Sequence, residues 1–411
     1  MRRLERDLSF VLLWIGQTIS TLGTAVSDLA VPTVAIFAFH AGPLQVSILG
    51  ALETVPFIGI GLLLGPLADR VRRRPILIAC DIGRFASLGS IPLAAALGLL
   101  TLNQLYLVAF LTGLFNVAFQ VGYQAYLPAL VTRRQIMGAN SRLYVTQTVS
   151  GTAGSALSGL LIQLIGAALT IAVDAVSYLL SALAIIFIPR PEERPSAGGS
   201  AGFRVELAEG LRFVLGHPIL RRLAAGNATF TIGWRMVEGM YVLYCYRILH
   251  LTPAQVGLLL ATTSVFLVIG ALLRERVTRL VGFGRLLFFS QLLTALPVFL
   301  ITLAGLGLGL PAMYAAAVVM GLAGSMFDVA QLTLRQLITP DRLQARMNAT
   351  MRTLFWGPRP LGFLFGGVVA SWLGLVATTA IGGVICTVSA AFFLGPLFFS
   401  MNTAPEPVHE G

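Results

Sequence analysis

Apolar residues run through this chain in blocks, each long enough to cross roughly 30 Å of hydrocarbon as a helix rising about 1.5 Å per residue. The blocks fall at 8–39, 44–67, 75–99, 103–131, 140–165, 168–188, 220–249, 253–273, 283–305, 311–338, 346–372 and 375–401. They predict twelve membrane-spanning helices, divided six and six by a polar stretch at 189–219. That stretch opens Pro-Arg-Pro-Glu-Glu-Arg-Pro at 189–195 and continues through Ser and Gly to 202, the composition of a linker. Within it Val205, Ala208, Leu211 and Leu215 recur every three or four positions, predicting a short amphipathic helix lying on the membrane. The expected layout is a six-helix bundle at 1–188, a linker at 189–219, a second bundle at 220–401 and a tail at 402–411.

Charge fixes the orientation. Nearly all arginines outside the spans lie in the N-terminal stretch and in the turns at 69–74, 132–139, 189–219, 274–282 and 339–346. The opposite turns, near Ala41, Thr101, Gly166, Gly305 and Leu373, carry none, with Arg247 near His250 the one exception. This alternation predicts a cytoplasmic N-terminus, linker and C-terminus in a multi-pass protein of the cell (inner or plasma) membrane. Only 11% of the 411 residues are charged, against roughly a quarter in soluble domains. A net charge of +11 would otherwise suggest a nucleic-acid surface, but these arginines lie between apolar spans and form no basic face, so no nucleic-acid partner is expected. Arg2, Arg3 and Arg6 resemble the start of a signal peptide, yet the run that follows is too long for one and carries Asp28. Cys80, Cys245 and Cys386 are widely separated, and so are the four histidines, so neither a metal site nor a cofactor is expected.

The two halves repeat. An offset of 208 pairs Gly113 with Gly321, Phe119 with Phe327, Asn140 with Asn348, Gly154 with Gly362, Gly159 with Gly367 and Gly166 with Gly374. An offset of 210 pairs Pro43, Gln45 and Val46 with Pro253, Gln255 and Val256. Parallel six-helix repeats imply a pseudo-two-fold axis along the membrane normal, a transporter signature rather than a channel or enzyme one.

Between the second and third spans stands Gly65-Pro-Leu-Ala-Asp69-Arg70-Val-Arg-Arg73-Arg74. This phrase, with the repeat and the long central linker, resembles the major facilitator superfamily, whose loop signature is matched here by Gly65, Asp69, Arg70, Arg73 and Arg74, with Arg72 in place of the usual glycine. Asp81-Ile-Gly-Arg84, Tyr126-Leu-Pro-Ala-Leu-Val131, Asn140, Glu209-Gly-Leu-Arg-Phe213 and Pro360-Leu-Gly362 further resemble the drug-efflux branch that includes macrolide-efflux pumps and enterobactin exporters. The resemblance implies an all-α fold of two pseudo-symmetric six-helix bundles. It also implies that Asp69 is a conformational latch fixed by Arg70, Arg73 and Arg74, with Asp81 and Arg84 in the same gate or as a structural pair. On the fifth span, Gly154-Ser155-Ala156-Leu157-Ser158-Gly159 departs from the efflux phrase at Ser155 and Ser158.

Small residues four apart, Gly61 with Gly65 and Gly362 with Gly366, let helices approach closely, as do Gly154 and Gly159. Ionisable residues inside spans cost roughly 2.5–3.5 kcal/mol each on insertion scales, so they should face a cavity or a partner. Asp28, Glu53, Arg235, Glu238 and Asp328 are the candidates for proton coupling or substrate contact, Arg235 and Glu238 being spaced to pair with each other. Asp328 stands where the first half carries Gln120. Asn116, Gln120 and Gln124 mark one helix face, which suits a cavity lining or helix–helix hydrogen bonding. Arg352 and Arg359 enter the eleventh span from the cytoplasmic end, placed to attract an anionic substrate; the alternative, snorkelling, accounts better for Arg352 than for the deeper Arg359. Asp174 reads as structural.

The expected activity is proton-coupled export of bulky amphipathic compounds by rocker-switch alternating access, with the proton as coupling ion and sodium an open alternative. The small amphipathic substrate and the lipid bilayer are the expected partners, and a monomer suffices. A dedicated exporter of a siderophore or other anionic metabolite is the rival, favoured if Arg235 and Arg359 both face the cavity. A lipid flippase is a third option, and a non-transporting membrane sensor is the rival from another class. No nucleophile–base pair or phosphate-binding loop supports an enzyme.

Overall fold

A computed structural model describes residues 7–58, 72–132, 135–189, 203–403 and 405, leaving aside the side chains of 125, 137 and 203–207. Among these residues every regular element is helical. Among these residues eight helical stretches, with Phe283–Leu337 taken through its breaks as one, are long and apolar enough to cross a membrane. The chain forms two compact units, Met1–Gly198 with His250–Ala261, and Gly199–Leu249 with Thr262–Gly411.

The first unit holds α1 (Leu8–Phe39), α2 (Pro43–Thr54), α3 (Arg73–Ala96), α4 (Leu102–Leu130), α5 (Ile136–Ile165) and α6 (Ala167–Ile186). Helix α1 starts where the Asp7 carboxylate accepts the backbone N–H of Ser9 at 3.0 Å. It ends at His40, which adopts a left-handed φ of 51°. Pro43 then opens α2 at a position where a missing N–H costs nothing, and Gln45 Oε1 accepts the Gly42 N–H at 2.7 Å. Helix α1 packs along α5 and α6, and α3 lies against α4 and α6.

The second unit holds α7 (Phe203–Gly216), α8 (Pro218–Arg247), α10 (Phe283–Leu293), α11 (Leu296–Leu303), α12 (Gly309–Leu337), α13 (Gln344–Trp356), α14 (Arg359–Leu373), α15 (Leu375–Ala390) and α16 (Pro396–Phe399). Helix α9 (Pro253–Val281) contributes its start to the first unit and the remainder to the second. The sequence repeat is also a repeat of local geometry. His250 has the same φ of 51° as His40. Gln255 Oε1 accepts the Thr252 N–H at 2.8 Å, as Gln45 does for Gly42. Gly166 and Gly374 both turn the chain at a φ of 83°, a conformation in which a Cβ is strained. Gly154 lies against Leu22 O of α1 and Gly362 against Ile232 O of α8, at 2.7 Å and 2.9 Å from where a Cβ would stand.

Three features differ from the pattern expected of the spans. The ninth span is interrupted at Thr294–Ala295 between α10 and α11, and the eleventh at Gly357–Pro358 between α13 and α14. Pro358 cannot donate to the carbonyl four residues back, so the α13 ladder stops there. The linker helix α7 also packs against the rest of the second unit, by a face outside its apolar stripe. Leu211 and Leu215 are exposed, whereas Val214 is wholly buried in a core with Leu220, Phe283, Met347 and Met351. Arg346 of α13 forms an ion pair with Glu209, and Gly210 admits Thr350 Oγ1 to 2.5 Å of its absent Cβ position. The glycine and a tertiary ion pair, neither visible in helical periodicity, choose the docking face.

Candidate functional site

Inside the second unit a cavity of about 510 Å³ opens between α8, α10, α12 and α13. Helix α8 supplies Phe230, Trp234 and Arg235 on one face. From α12 come Asp328, Gln331 and Arg335, spaced three and four apart so that they share a face. Helix α13 presents Asn348, Arg352, Phe355 and Trp356, and Arg359 follows directly across the Gly357–Pro358 break. Asp328 is exposed, and its exposed surface belongs to this cavity.

The lining combines aromatic faces with cations. Arg352 and Arg359 each stack on the Trp356 indole, at 4.5 Å and 4.4 Å from the ring centre. Arg335 lies over Phe355 at 5.2 Å, and Arg235 over Phe363 at 5.7 Å while pairing with Glu238. A guanidinium held by its face keeps its N–H donors in the plane, where they can grip a carboxylate or similar anion. Four arginines line the cavity against one aspartate. The fold does not demand this charge. In the first half the counterparts of Arg235, Arg335, Arg352 and Arg359 are Ala25, Leu127, Tyr144 and Gly151, at the repeat offsets of 210 for the first and 208 for the others.

The remaining candidates lie elsewhere. In the first unit Asp81 and Arg84 form a buried ion pair, and Arg84 donates to Asn116 Oδ1 at 3.1 Å. Asn116 thus makes a hydrogen bond between helices α3 and α4. Gln120 is half-buried and Gln124 exposed on α4. Asp28 is exposed on α1, and Glu53 is half-buried near the end of α2, its backbone carbonyl against Gly113. Arg73 and Arg74 open α3, where Arg74 donates to Ile186 O at 2.5 Å. Gly61, Gly65, Asp69 and Arg70 lie outside the described residues. Gly159 packs on the start of α9, its absent Cβ 3.0 Å from Gly257 Cα, and Gly366 lies 2.5 Å from Met236 Cα on the same measure. Arg335, Trp234, Phe355 and Trp356 are site residues that sequence reasoning missed. The seven-residue step from Asp328 to Arg335, two helical turns, was the available signal.

Residues 5–404 match the family model described as transmembrane secretion effector. The chain belongs to this family of major facilitator transporters. An MFS-type transporter of Bacillus subtilis, YfiS, is 27% identical over 383 residues, covering 88% of this chain and 87% of its own length. A Salmonella typhimurium protein named enterobactin exporter EntS is 25% identical over 393 residues, covering 91% and 88%. Two solved structures show the same fold. The nucleoside transporter NupG superposes with a TM-score of 0.72 at 12% identity, covering 94% of this chain and 98% of its own. A bacterial homologue of the lysosomal transporter Spinster, captured inward-facing, gives 0.71 at 17%, covering 96% and 98%. As a member of this superfamily the chain is a multi-pass membrane transporter and not an enzyme.

Proposed function

We propose that this transporter exports an amphiphilic anion, held in the second-unit cavity by its arginines and aromatic rings and exchanged for protons by alternating access. The observation that carries the reading is the set of four arginines facing one aspartate in a cavity whose repeat counterparts are uncharged. Both Arg235 and Arg359 line it, which is the condition that favours a dedicated anion exporter over general drug efflux. Outward direction is supported by the family's description as a secretion effector and by the relatives named enterobactin exporter. The positive-inside pattern supports a cytoplasmic N-terminus and linker, in an inner or plasma membrane, and one chain supplies the whole cavity.

The test is transport in proteoliposomes containing a trapped pH dye, challenged with cationic, neutral and anionic aromatic amphiphiles of matched size. Proton movement triggered by the anionic members and lost in Arg359→Gln is expected. Equal responses to cations and anions would restore polyspecific drug efflux, the reading that the aromatic lining by itself favours. Silence across the panel from folded protein would refute proton-coupled export.

A further inference from the structure

The first unit buries more negative than positive charge at one point. Asp81, Arg84 and Asp174 are respectively 0%, 5% and 0% exposed, two carboxylates around a single guanidinium. Asp81 takes the direct ion pair with Arg84, whose guanidinium is packed between the rings of Phe119 at 4.3 Å and Tyr178 at 4.2 Å. Arg84 is within electrostatic reach of Asp174 as well. The direct hydrogen-bond partner of Asp174 Oδ1 is the hydroxyl of Ser177, which donates at 3.1 Å. The wholly buried Asp174 Oδ2 and the buried Ser27 hydroxyl that faces this carboxyl make no hydrogen bond of good geometry, so Ser27 is at most a weak partner. Gly23 of α1 makes room for this arrangement, since a Cβ there would stand 2.5 Å from Asp174 Oδ1.

The other half of the molecule shows what the fold needs at these positions. At an offset of 210, Asp81 and Arg84 correspond to Gln291 and Thr294, and Leu77 and Leu287 are equivalent and wholly buried. At an offset of 208, Asp174, Tyr178 and Ser181 correspond to Gly382, Cys386 and Ser389. There Gln291 donates to Ser389 Oγ at 2.7 Å, and Gly233, the counterpart of Gly23, packs on Gly382 and Cys386. The same helix crossing is thus built once with neutral groups and once with three ionisable ones. Packing alone does not explain the charged version.

We infer that Asp174, with Asp81 and Arg84, forms a proton-binding site: Arg84 neutralises one carboxylate, and a proton occupies the other. Burying an uncompensated carboxylate costs several kcal/mol. A proton on Asp174 removes that net charge and supplies a donor for the Ser27 hydroxyl. Only a proton moves, from water to a carboxylate oxygen and back. Other charged or titratable groups facing the cluster are Cys80 on α3, Tyr178 on α6, Asp28 on α1 and Glu53 on α2. Helix α4 presents Asn116 and Phe119, which do not titrate, and the single charged residue of α5 is Arg142, in its second turn. This cluster shares no residue with the arginine-lined cavity. Whether it binds a proton is tested without reference to what that cavity carries, whereas its role as the coupling site rests on the proton-coupled reading above.

Infrared difference spectroscopy of the purified full-length protein, with proton–deuteron exchange, reads protonated carboxyls without any substrate. Wild type should show a carboxylic-acid C=O band near neutral pH that is absent in Asp174→Asn. In Arg84→Thr, which takes the counterpart residue and leaves both carboxylates without their cation, a second acid band should appear. Survival of the wild-type band in Asp174→Asn, its absence from wild type, or no gained band in Arg84→Thr would overturn the inference. In Asp81→Gln/Arg84→Thr, which has no buried ion pair, the wild-type band should persist, and its loss there would equally overturn the inference even if Asp174→Asn does not fold.

Discussion

Replacing Arg84 by threonine removes the only cation of a pair whose side chains are 6% and 0% exposed. Removing one partner of so buried a pair costs about 3–5 kcal/mol, which appears either as buried charge or as the work of protonating Asp81. The variant also loses two stacked rings, each worth about 0.5–2 kcal/mol. In Asp81→Gln/Arg84→Thr, which copies Gln291 and Thr294, the charge penalty vanishes and only the stacking loss remains. The double variant should therefore be more stable than the single by about 3–5 kcal/mol. Reversible denaturant unfolding in detergent, followed by far-UV circular dichroism, measures both differences. The gap should narrow as the pH falls, because a protonated Asp81 needs no counter-charge. A double variant as unstable as the single, or a single variant within about 1 kcal/mol of wild type, would refute the reasoning.

Other perturbations test other contacts. Gly321→Ala places a Cβ 2.5 Å from Thr263 O and 2.7 Å from Leu267 N, both backbone, so α9 and α12 must separate. A loss of about 1–3 kcal/mol is expected in the same unfolding assay. Charge reversal at Glu209 should free α7 and speed proteolysis of the linker, and Glu209→Arg/Arg346→Glu should restore protection. Tyr178→Phe removes the 2.7 Å hydrogen bond between Tyr178 and Thr24 hydroxyls, and a loss of about 1 kcal/mol in denaturant unfolding is expected. Trp356→Ala should weaken transport of aromatic anions more than that of aliphatic ones, whereas Arg359→Gln should weaken both, as initial rates in proteoliposomes would show.

Much of the fold was legible because span length, arginine alternation and the internal repeat are one-dimensional signals. The repeat reached further than sequence matching alone: His40 and His250, which look like scattered histidines, occupy equivalent helix ends with the same left-handed backbone. Helix rotation about its own axis was not legible. Asn116 carries a cavity-like spacing with Gln120 and Gln124, yet it accepts a hydrogen bond from Arg84. Arg352, whose place at a span end suits either a snorkelling or a substrate-attracting cation, lines the cavity beside Trp356. Asp174 reads as structural, because nothing in its own helix shows that Asp81 and Arg84 of α3 lie beside it. For Asn116 and Asp174 the neighbours are supplied by a different helix, information that periodicity within one segment does not hold.

The stacking of Arg352 and Arg359 on one indole has an optical consequence. The chain has four tryptophans, of which Trp234 and Trp356 line the cavity. Trp14 is tied by its indole N–H to Thr146 at 2.7 Å, and Trp372 is 83% exposed. Two guanidinium charges within 4.5 Å of the Trp356 ring set the electric field on its excited state, and an anion drawn to them changes that field directly. On the proposed anion-binding reading, intrinsic emission is a built-in, label-free gauge of occupancy, and its response in Trp234→Phe would come from a cavity with a single reporting ring.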